Sequence, residues 1–327
     1  MISFTCNVCG TANTLEEVPW EPPTCAGCRS NVRMRALIHL LAIELYGQHL
    51  PLPLFPKNKE VRGFGLSDDL LYAIPLARKF DYTNTYYDRE PYLDLTAFHP
   101  EQYGTYDFIL SSDVFEHVAP PVERAFDEAF RLLKPDGVLC ITVPSTPDEV
   151  ETAEHYPDLH KFGVANLGQE LVLVNRKKDG TLQLHENPEF HGGIGATLVM
   201  RLFSQADLAR KLRACGFSDV TYLTEPVEPS GIFLGGRWSL PLVARKERRT
   251  PLSSALGPAD VEEPEPVIVP PPPPPSIQEL EEKIAELNRE KWELHDRATI
   301  AEEQVRLAAG SRWLRLGNLL GLGPRLR

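Results

Sequence analysis

Residues 106–145, YDFILSSDVFEHVAPPVERAFDEAFRLLKPDGVLCITVPS, read as strand, loop, helix, tight turn and strand. Phe108, Ile109 and Leu110 form a short apolar run after Tyr106–Asp107, the mark of a strand buried on both faces. The run stops at Ser111-Ser112-Asp113, where polar side chains face whatever lies at the strand's carboxyl end. Val122, Ala125, Phe126, Ala129, Leu132 and Leu133 then recur at helical spacing. In Lys134-Pro135-Asp136-Gly137 the proline is expected to stop the helix and the glycine to take a left-handed turn. Val138–Val143 is a second apolar strand. A β-α-β unit of this kind builds parallel sheets.

This stretch is similar to the fourth and fifth strands of class I S-adenosylmethionine-dependent methyltransferases. Three features carry the resemblance: Tyr106–Asp107 opening the strand, Asp113-Val114-Phe115-Glu116-His117-Val118 after it, and Leu132-Leu133-Lys134-Pro135-Asp136-Gly137 before the next strand. A generic nucleotide-binding α/β domain is the plainer reading of the same pattern. The resemblance covers residues 60–246, more weakly 31–59. It implies an α/β fold with a doubly wound, mostly parallel sheet, an S-adenosylmethionine cofactor and methyl transfer.

It also implies site residues. Glu60–Asp69, EVRGFGLSDD, is expected to hold the first strand and its glycine turn. Gly63 and Gly65 match two of the family's three alternating glycines, and Ser67 stands at the third. The acidic position falls on Val61, leaving Asp68 or Asp69 as partial replacements. Asp81–Tyr87, rich in β-formers, reads as the second strand. Asp88, with Glu90 second, is expected to accept from the ribose hydroxyls. Leu93–Thr96 resembles the adenine-contacting segment, with Asp94 accepting from the adenine amino group. Asp113 lies where open α/β sheets bind ligands. His117 reads either as a base, since its reference pKa is near 6.5, or as a structural residue of the loop.

Cys6, Cys9, Cys25 and Cys28 make a C-x2-C-x15-C-x2-C pattern. Two such turns supply four soft ligands in a tetrahedron, which suits a structural zinc ribbon over residues 1–30. Two disulfides or a redox pair are the alternatives. Gly10 and Gly27 are expected to bend the backbone around the sulfurs. Cys140 and Cys215 read as core residues. In the connecting segment 31–59, Asn31 is placed to cap a helix through about Leu45. Arg33 and Arg35 on that helix either belong to a packing element or grip an anionic substrate.

The 327 residues carry a net charge of −12, which argues against a general nucleic-acid binder. No apolar run reaches the roughly 18 residues that span a bilayer. The first residues lack a secretory layout, so a cytoplasmic chain with reduced thiols is expected.

Between Val143 and Leu202 lies an irregular stretch with His155, His160, His185 and His191. Asp179–Gly180 marks a hairpin turn. His185–Gly193 is the most site-like part: its two histidines and two carboxylates could hold a second metal, contact substrate or form a lid. Ser204 should cap a helix containing Leu208 and Leu212, and Asp219–Leu223 and Ile232–Arg245 read as the last strands.

Residues 247–276 form a linker that ends in six prolines, Pro270–Pro275, a stiff extended rod. Ile277, Leu280, Ile284, Leu287, Lys291, Leu294, Ala298, Ala301, Val305 and Ala308 keep 3-4 spacing, so 277–309 is expected to form a homo-oligomeric coiled coil. Residues 310–327 are basic, with Trp313 and several leucines, which suits the inner face of a membrane or a partner protein. A cell-envelope glycan or its precursor is the expected acceptor. An inactive methyltransferase-like scaffold and a zinc-ribbon adaptor are the alternatives.

Overall fold

The computed structural model describes residues 1–167, 170–191, 197–235, 238–247 and 252. Most of the linker, the heptad seam of 277–309 and the basic tail of 310–327 lie outside the described residues. Among those described, no helix is long and apolar enough to cross a membrane.

The chain opens with an antiparallel pair, β1 (Ile2–Thr5) and β2 (Ala12–Leu15). Helix α1 (Val32–Tyr46) follows. The Asn31 side chain accepts from the Met34 amide at 2.9 Å, and Gly47, at φ 68°, closes the other end. Both caps satisfy backbone groups that a helix end leaves open. Most of α1 is apolar and buried, as expected of a helix laid across a sheet. Glu44 on α1 forms a two-pronged ion pair with Arg245, which ties the helix to the sheet's far side.

The sheet is built from β3 (Arg62–Leu66), α2 (Leu70–Lys79), β4 (Asp81–Thr85), β5 (Tyr106–Ser112), α3 (Glu123–Leu132) and β6 (Leu133–Thr142). β3 pairs in parallel with β4 on one side and β5 on the other, and β5 pairs in parallel with β6. After a long intervening segment and α4 (Gln205–Ala214), β15 (Asp219–Tyr222) and β16 (Leu242–Arg245) complete six strands in the order β15-β16-β6-β5-β3-β4. Only β16 runs against its neighbours. The sheet is therefore doubly wound and mostly parallel, as expected. Its order reverses between β3 and β5, and the crevice at their carboxyl ends is where such sheets take ligands.

Two apolar layers cover the sheet. Phe108, Leu110, Val138 and Cys140 face α1 and α2. Ile109, Leu139 and Ile141 face α3 and α4. The alternation is the two-residue period of a strand buried on both faces. The first layer also contains Phe4, Cys6, Val8 and Cys25, so ribbon and sheet share one core.

The segment between β6 and β15 carries β7 (Ser145–Thr146), β8 (Ala153–Glu154), β9 (Lys161–Asn166), β10 (Leu171–Arg176), β11 (Leu182–Glu186), β12 (Phe190–His191), β13 (Thr197–Leu198), β14 (Arg201–Ser204) and α4 (Gln205–Ala214). β10 and β11 are the expected hairpin, with β9 as a third strand. β14 lies between β7 and β8. Ser204 caps α4 by accepting from Asp207.

Two expectations change. Lys134-Pro135-Asp136-Gly137 is not a helix-ending left-handed turn: the helix stops at Leu132, and β6 already begins at Leu133. The pairing with β5 slips between Tyr106 and Phe108, and a Cβ on Gly137 would stand 2.9 Å from the Tyr106 carbonyl oxygen. The glycine permits a close strand approach at a bulge. The final strand shortens to Leu242–Arg245, with Ile232 left in an isolated bridge to Val227.

Candidate metal centre and candidate active site

The four N-terminal cysteines converge. Cys6 and Cys28 sulfurs stand 3.8 Å apart, and Cys9 and Cys25 sulfurs 3.6 Å apart. Thiolates held about 2.3 Å from zinc at tetrahedral angles lie roughly 3.75 Å apart, so this spacing fits the ion. It is far longer than the roughly 2.0 Å of a disulfide. Each pair sits on a tight knuckle: Gly10 N–H donates to Cys6 O at 2.7 Å, and Arg29 N–H to Cys25 O at 2.9 Å. Gly10 takes φ 82°, as its expected role requires. In the second knuckle the left-handed position is Arg29, at φ 64°, not Gly27. Gly27 is small because a Cβ there would strike Thr11 Oγ1 at 2.2 Å.

Arg35 completes this centre. Its side chain is wholly buried beneath the ribbon and donates to Ser30 O, Thr24 Oγ1 and Gly231 O at 2.8, 2.8 and 2.9 Å. Burial pushes its pKa down, and the four cysteine sulfurs push it back up. Zinc held by four thiolates would carry a net charge of −2 and would give this buried cation its counter-charge. Arg35 thus serves the ribbon. Its neighbour Arg33 turns the other way, toward the crevice.

Asp113 lies just past β5 with φ 52°, in the left-handed region that aspartate tolerates. Its Oδ2 forms an ion pair with Arg33 at 2.6 Å, and its Oδ1 accepts from Thr142 Oγ1 at 2.9 Å. Arg33 also donates to Ser112 Oγ at 2.6 Å. A carboxylate at the switch point is therefore locked by a guanidinium from the ribbon's helix. Thr142 and Arg33 were the missing partners: Thr142 looks like any strand residue, and Arg33 had no reason in the sequence to differ from Arg35.

The expected glycine turn takes a different form. Gly63 and Gly65 lie inside β3, before its carboxyl end. A Cβ on Gly63 would stand 2.3 Å from the Phe108 ring. One on Gly65 would stand 2.0 Å from Asp68 Oδ2 and 2.1 Å from the Tyr82 hydroxyl. Both glycines thus make room for neighbouring side chains. The turn itself is Ser67, exposed and at φ 55°. Of the three expected cofactor positions on this strand, Ser67 is the one facing the crevice end. Asp68 and Asp69 do not replace the missing acid. Asp68 is fully buried, with Tyr72 and Tyr82 hydroxyls donating to it at 2.8 and 2.5 Å, and burial pushes its carboxyl up to about 6. Asp69 caps α2 through the Leu71 amide at 2.9 Å.

Asp88 lies three residues beyond β4, exposed and 3.8 Å from Arg89. Asp94 is half-buried, and its Oδ1 accepts from Thr96 N–H and Oγ1 at 2.8 and 2.7 Å. It closes a local turn through that oxygen.

Glu116, His117 and His191 meet beside Asp113. Glu116 is wholly buried, and neither carboxylate oxygen has a hydrogen-bond partner. Burial pushes this carboxyl up to about 7. His117 Nδ1 lies 2.8 Å from the Leu198 carbonyl, so that nitrogen carries the proton and Nε2 keeps its lone pair. Burial lowers the His117 pKa, and the Glu116 carboxylate raises that of His191. His191 Nδ1 stands 3.2 Å from His117 Nε2. The other loop histidines go elsewhere: His185 packs edge-on to Tyr156 at 4.9 Å, and His155 Nδ1 contacts the Val199 carbonyl at 3.2 Å. Arg201, buried beneath this cluster, donates to the Phe115 carbonyl and pairs with Glu154, both at 2.7–2.8 Å.

Residues 63–222 match the family model described as a methyltransferase domain. Solved structures similar to the chain include an S-adenosylmethionine-dependent methyltransferase from Mesorhizobium loti, at 15% identity over 67% of this chain and 100% of that one, TM-score 0.39. Another is the 1,6-didemethyltoxoflavin-N1-methyltransferase of Burkholderia thailandensis with bound S-adenosylhomocysteine, at 15% identity over 57% and 72%, TM-score 0.33. A third is the sugar N-methyltransferase KedS8 from Streptoalloteichus sp., at 15% identity over 57% and 81%, TM-score 0.33. No curated protein matches the chain. Residues 63–222 thus carry a methyltransferase domain on a doubly wound sheet, preceded in the chain by a four-cysteine cluster.

Proposed function

We propose that this S-adenosylmethionine-dependent methyltransferase transfers its methyl group to a polar, hydroxyl-bearing acceptor, a cell-envelope glycan or its precursor. The observation that supports the reading is the switch-point crevice, where Asp113 is fixed between Arg33 and Thr142 and bordered by Glu116, His117 and His191. Such charged and hydrogen-bonding walls suit an acceptor rich in hydroxyls.

The cofactor, when bound, supplies a methyl group on a positively charged sulfur. Methyl transfer is an in-line displacement, so the protein's main task is alignment. Ser67 turns the chain sharply at the end of β3 and lets backbone approach a ligand there. Asp113, Asp88 and Asp94 would hold polar groups of the cofactor. Arg33 and Thr142 keep Asp113 from swinging, so its carboxylate orients without loss of side-chain freedom on binding. His117 is held in one tautomer by Leu198 and works through Nε2 on the acceptor side.

The test is transfer of labelled methyl from S-adenosylmethionine to a panel of cell-envelope sugar precursors. Asp113→Ala should weaken cofactor binding by calorimetry on the order of 10-fold or more, with thermal melting within a few degrees of the parent. Unchanged affinity would remove Asp113 from the cofactor site. Normal cofactor binding with no labelled sugar product would overturn the glycan reading.

A further inference from the structure

Glu116 poses a problem that the methyltransferase reading leaves open. A carboxylate wholly cut off from water normally finds donors, yet neither of its oxygens has one. The nearest nitrogens, His117 Nε2 at 3.6 Å and His191 Nδ1 at 3.5 Å, both face Oε1 at ion-pair distance, longer than the usual 2.7–3.2 Å of a hydrogen bond. The two nitrogens stand 3.2 Å from each other. Because His117 gives its Nδ1 proton to Leu198, its Nε2 offers a lone pair, to which His191 Nδ1–H donates in the metal-free protein. Loss of that one proton would leave a carboxylate oxygen and two imidazole nitrogens at the corners of a nearly equilateral triangle.

We propose that Glu116, His117 and His191 bind a divalent first-row transition-metal ion, which takes an oxygen of the methyl acceptor at an open coordination position. Ligands about 2.1 Å from a tetrahedral metal lie roughly 3.4 Å apart, and the three observed separations bracket that figure. Two imidazoles and one carboxylate suit zinc, iron, manganese or cobalt better than calcium or magnesium, which prefer all-oxygen cages. The His117 Nδ1–H bond to a backbone carbonyl is the outer-shell partner that ligating histidines usually have. The Met200 amide donates to the Glu116 carbonyl at 2.9 Å, anchoring that residue's backbone. His191 is 41% exposed at its side chain, so the triangle is closed on the Glu116 side and opens toward solvent on the other. Asp113 and Glu189 favour a cation at the cluster, and the buried Arg201 and Arg33 oppose one. An ion there would lower the pKa of a bound acceptor hydroxyl and fix its direction. His117 then acts as a ligand in place of a free base.

The role in catalysis rests on the methyltransferase reading; the ion itself does not, and the two are separable. The experiment uses full-length protein prepared reduced, with the ribbon zinc retained, and titrated with Co2+ and Mn2+. The expected result is one binding equivalent beyond the ribbon, with a cobalt visible spectrum of nitrogen–oxygen character. His191→Ala and Glu116→Gln should weaken it on the order of 100-fold or more. His191→Ala alters a half-exposed side chain, so it remains informative where Glu116→Gln fails to fold. Absence of a second equivalent, or one insensitive to His191→Ala, overturns the proposal. S-adenosylhomocysteine calorimetry on the same samples separates the cases. Cofactor binding without the extra metal sinks only the metal site; the extra metal without cofactor binding sinks the methyltransferase reading instead.

Discussion

Replacing Gly63 by alanine tests whether that glycine serves packing or the cofactor. The added methyl would stand 2.3–2.5 Å from three atoms of the Phe108 ring. Carbon atoms normally rest about 3.5–4.0 Å apart, so the ring would have to retreat by roughly 1 Å. It has little room. Phe80 meets it edge-on at 5.6 Å between centroids, and Tyr82 stacks on it at 6.0 Å. Overpacking a clamped core site costs about 1–3 kcal/mol, and the tight clamp argues for the upper end. Reduced freedom of the unfolded chain returns about 0.4–1 kcal/mol. A net loss of about 2 kcal/mol remains, equivalent to roughly 4–8 °C in a domain of this size. Urea and thermal melts of Gly63→Ala, Phe108→Leu and the double variant form a cycle. The expected coupling is about 1 kcal/mol or more, with the smaller residue at 108 relieving the alanine. Cofactor affinity of Gly63→Ala should stay near that of the parent. If the variant melts normally and loses cofactor binding, Gly63 faces the cofactor and the packing explanation fails.

Three further outcomes are expected. Reduced protein should retain about one zinc per chain at the cysteine centre against mild chelation, and Arg35→Met, which removes the buried counter-charge, should make that zinc easier to strip; metal analysis finding none would refute the ribbon. Asp68 has its folded-state pKa raised to about 6, above the unfolded value near 3.9, so the folded state binds the extra proton and stability should fall as pH rises from about 4 through 6, by on the order of 3 kcal/mol in all; urea melts at pH 5 and pH 8, which span about half of that fall, should show Asp68→Asn flattening it, and an unchanged slope would mean that the two tyrosine hydroxyls fully stabilise the charge. Deleting residues 277–327 should convert an oligomer into a monomer by light scattering while sparing turnover on a soluble substrate, and an unchanged oligomer would show that the heptad seam is not the assembly element.

What the sequence made legible was local or periodic. The β5-α3-β6 unit follows from an apolar run, a 3.6-residue repeat and a second run. The caps Asn31 and Ser204 follow from residue type and place. The convergence of the four cysteines follows from their paired C-x2-C spacing. Less legible was anything decided by distant chain segments meeting. A glycine in a strand can supply a left-handed turn or make way for a neighbour; the sequence of β3 cannot separate these, because Phe108 lies 45 residues away in a different strand. Arg33 and Arg35 sit two apart on one helix, and only the docking of α1 sends one to Asp113 and the other to the sulfurs. His191 meets His117 across 74 residues, through the pairing of Phe190 and His191 with Thr197 and Leu198. The one available signal was chemical: a histidine-rich loop following a strand end.

The shared core of ribbon and sheet limits how this protein can be cut and recombined. Leu37, Leu41 and Leu45 of α1 belong to the same apolar layer as Phe108, Leu110, Cys140 and Val243. A break near residue 60 would bare that sheet face, losing about 1.5–3 kcal/mol for each large side chain uncovered. It would also leave Asp113 without Arg33, and Arg245 without Glu44. An expression fragment starting at β3 should therefore aggregate, however complete its family match looks. In evolutionary exchange, the first 60 residues and the six-stranded sheet form a single heritable part, and a recombinant that keeps one must keep both.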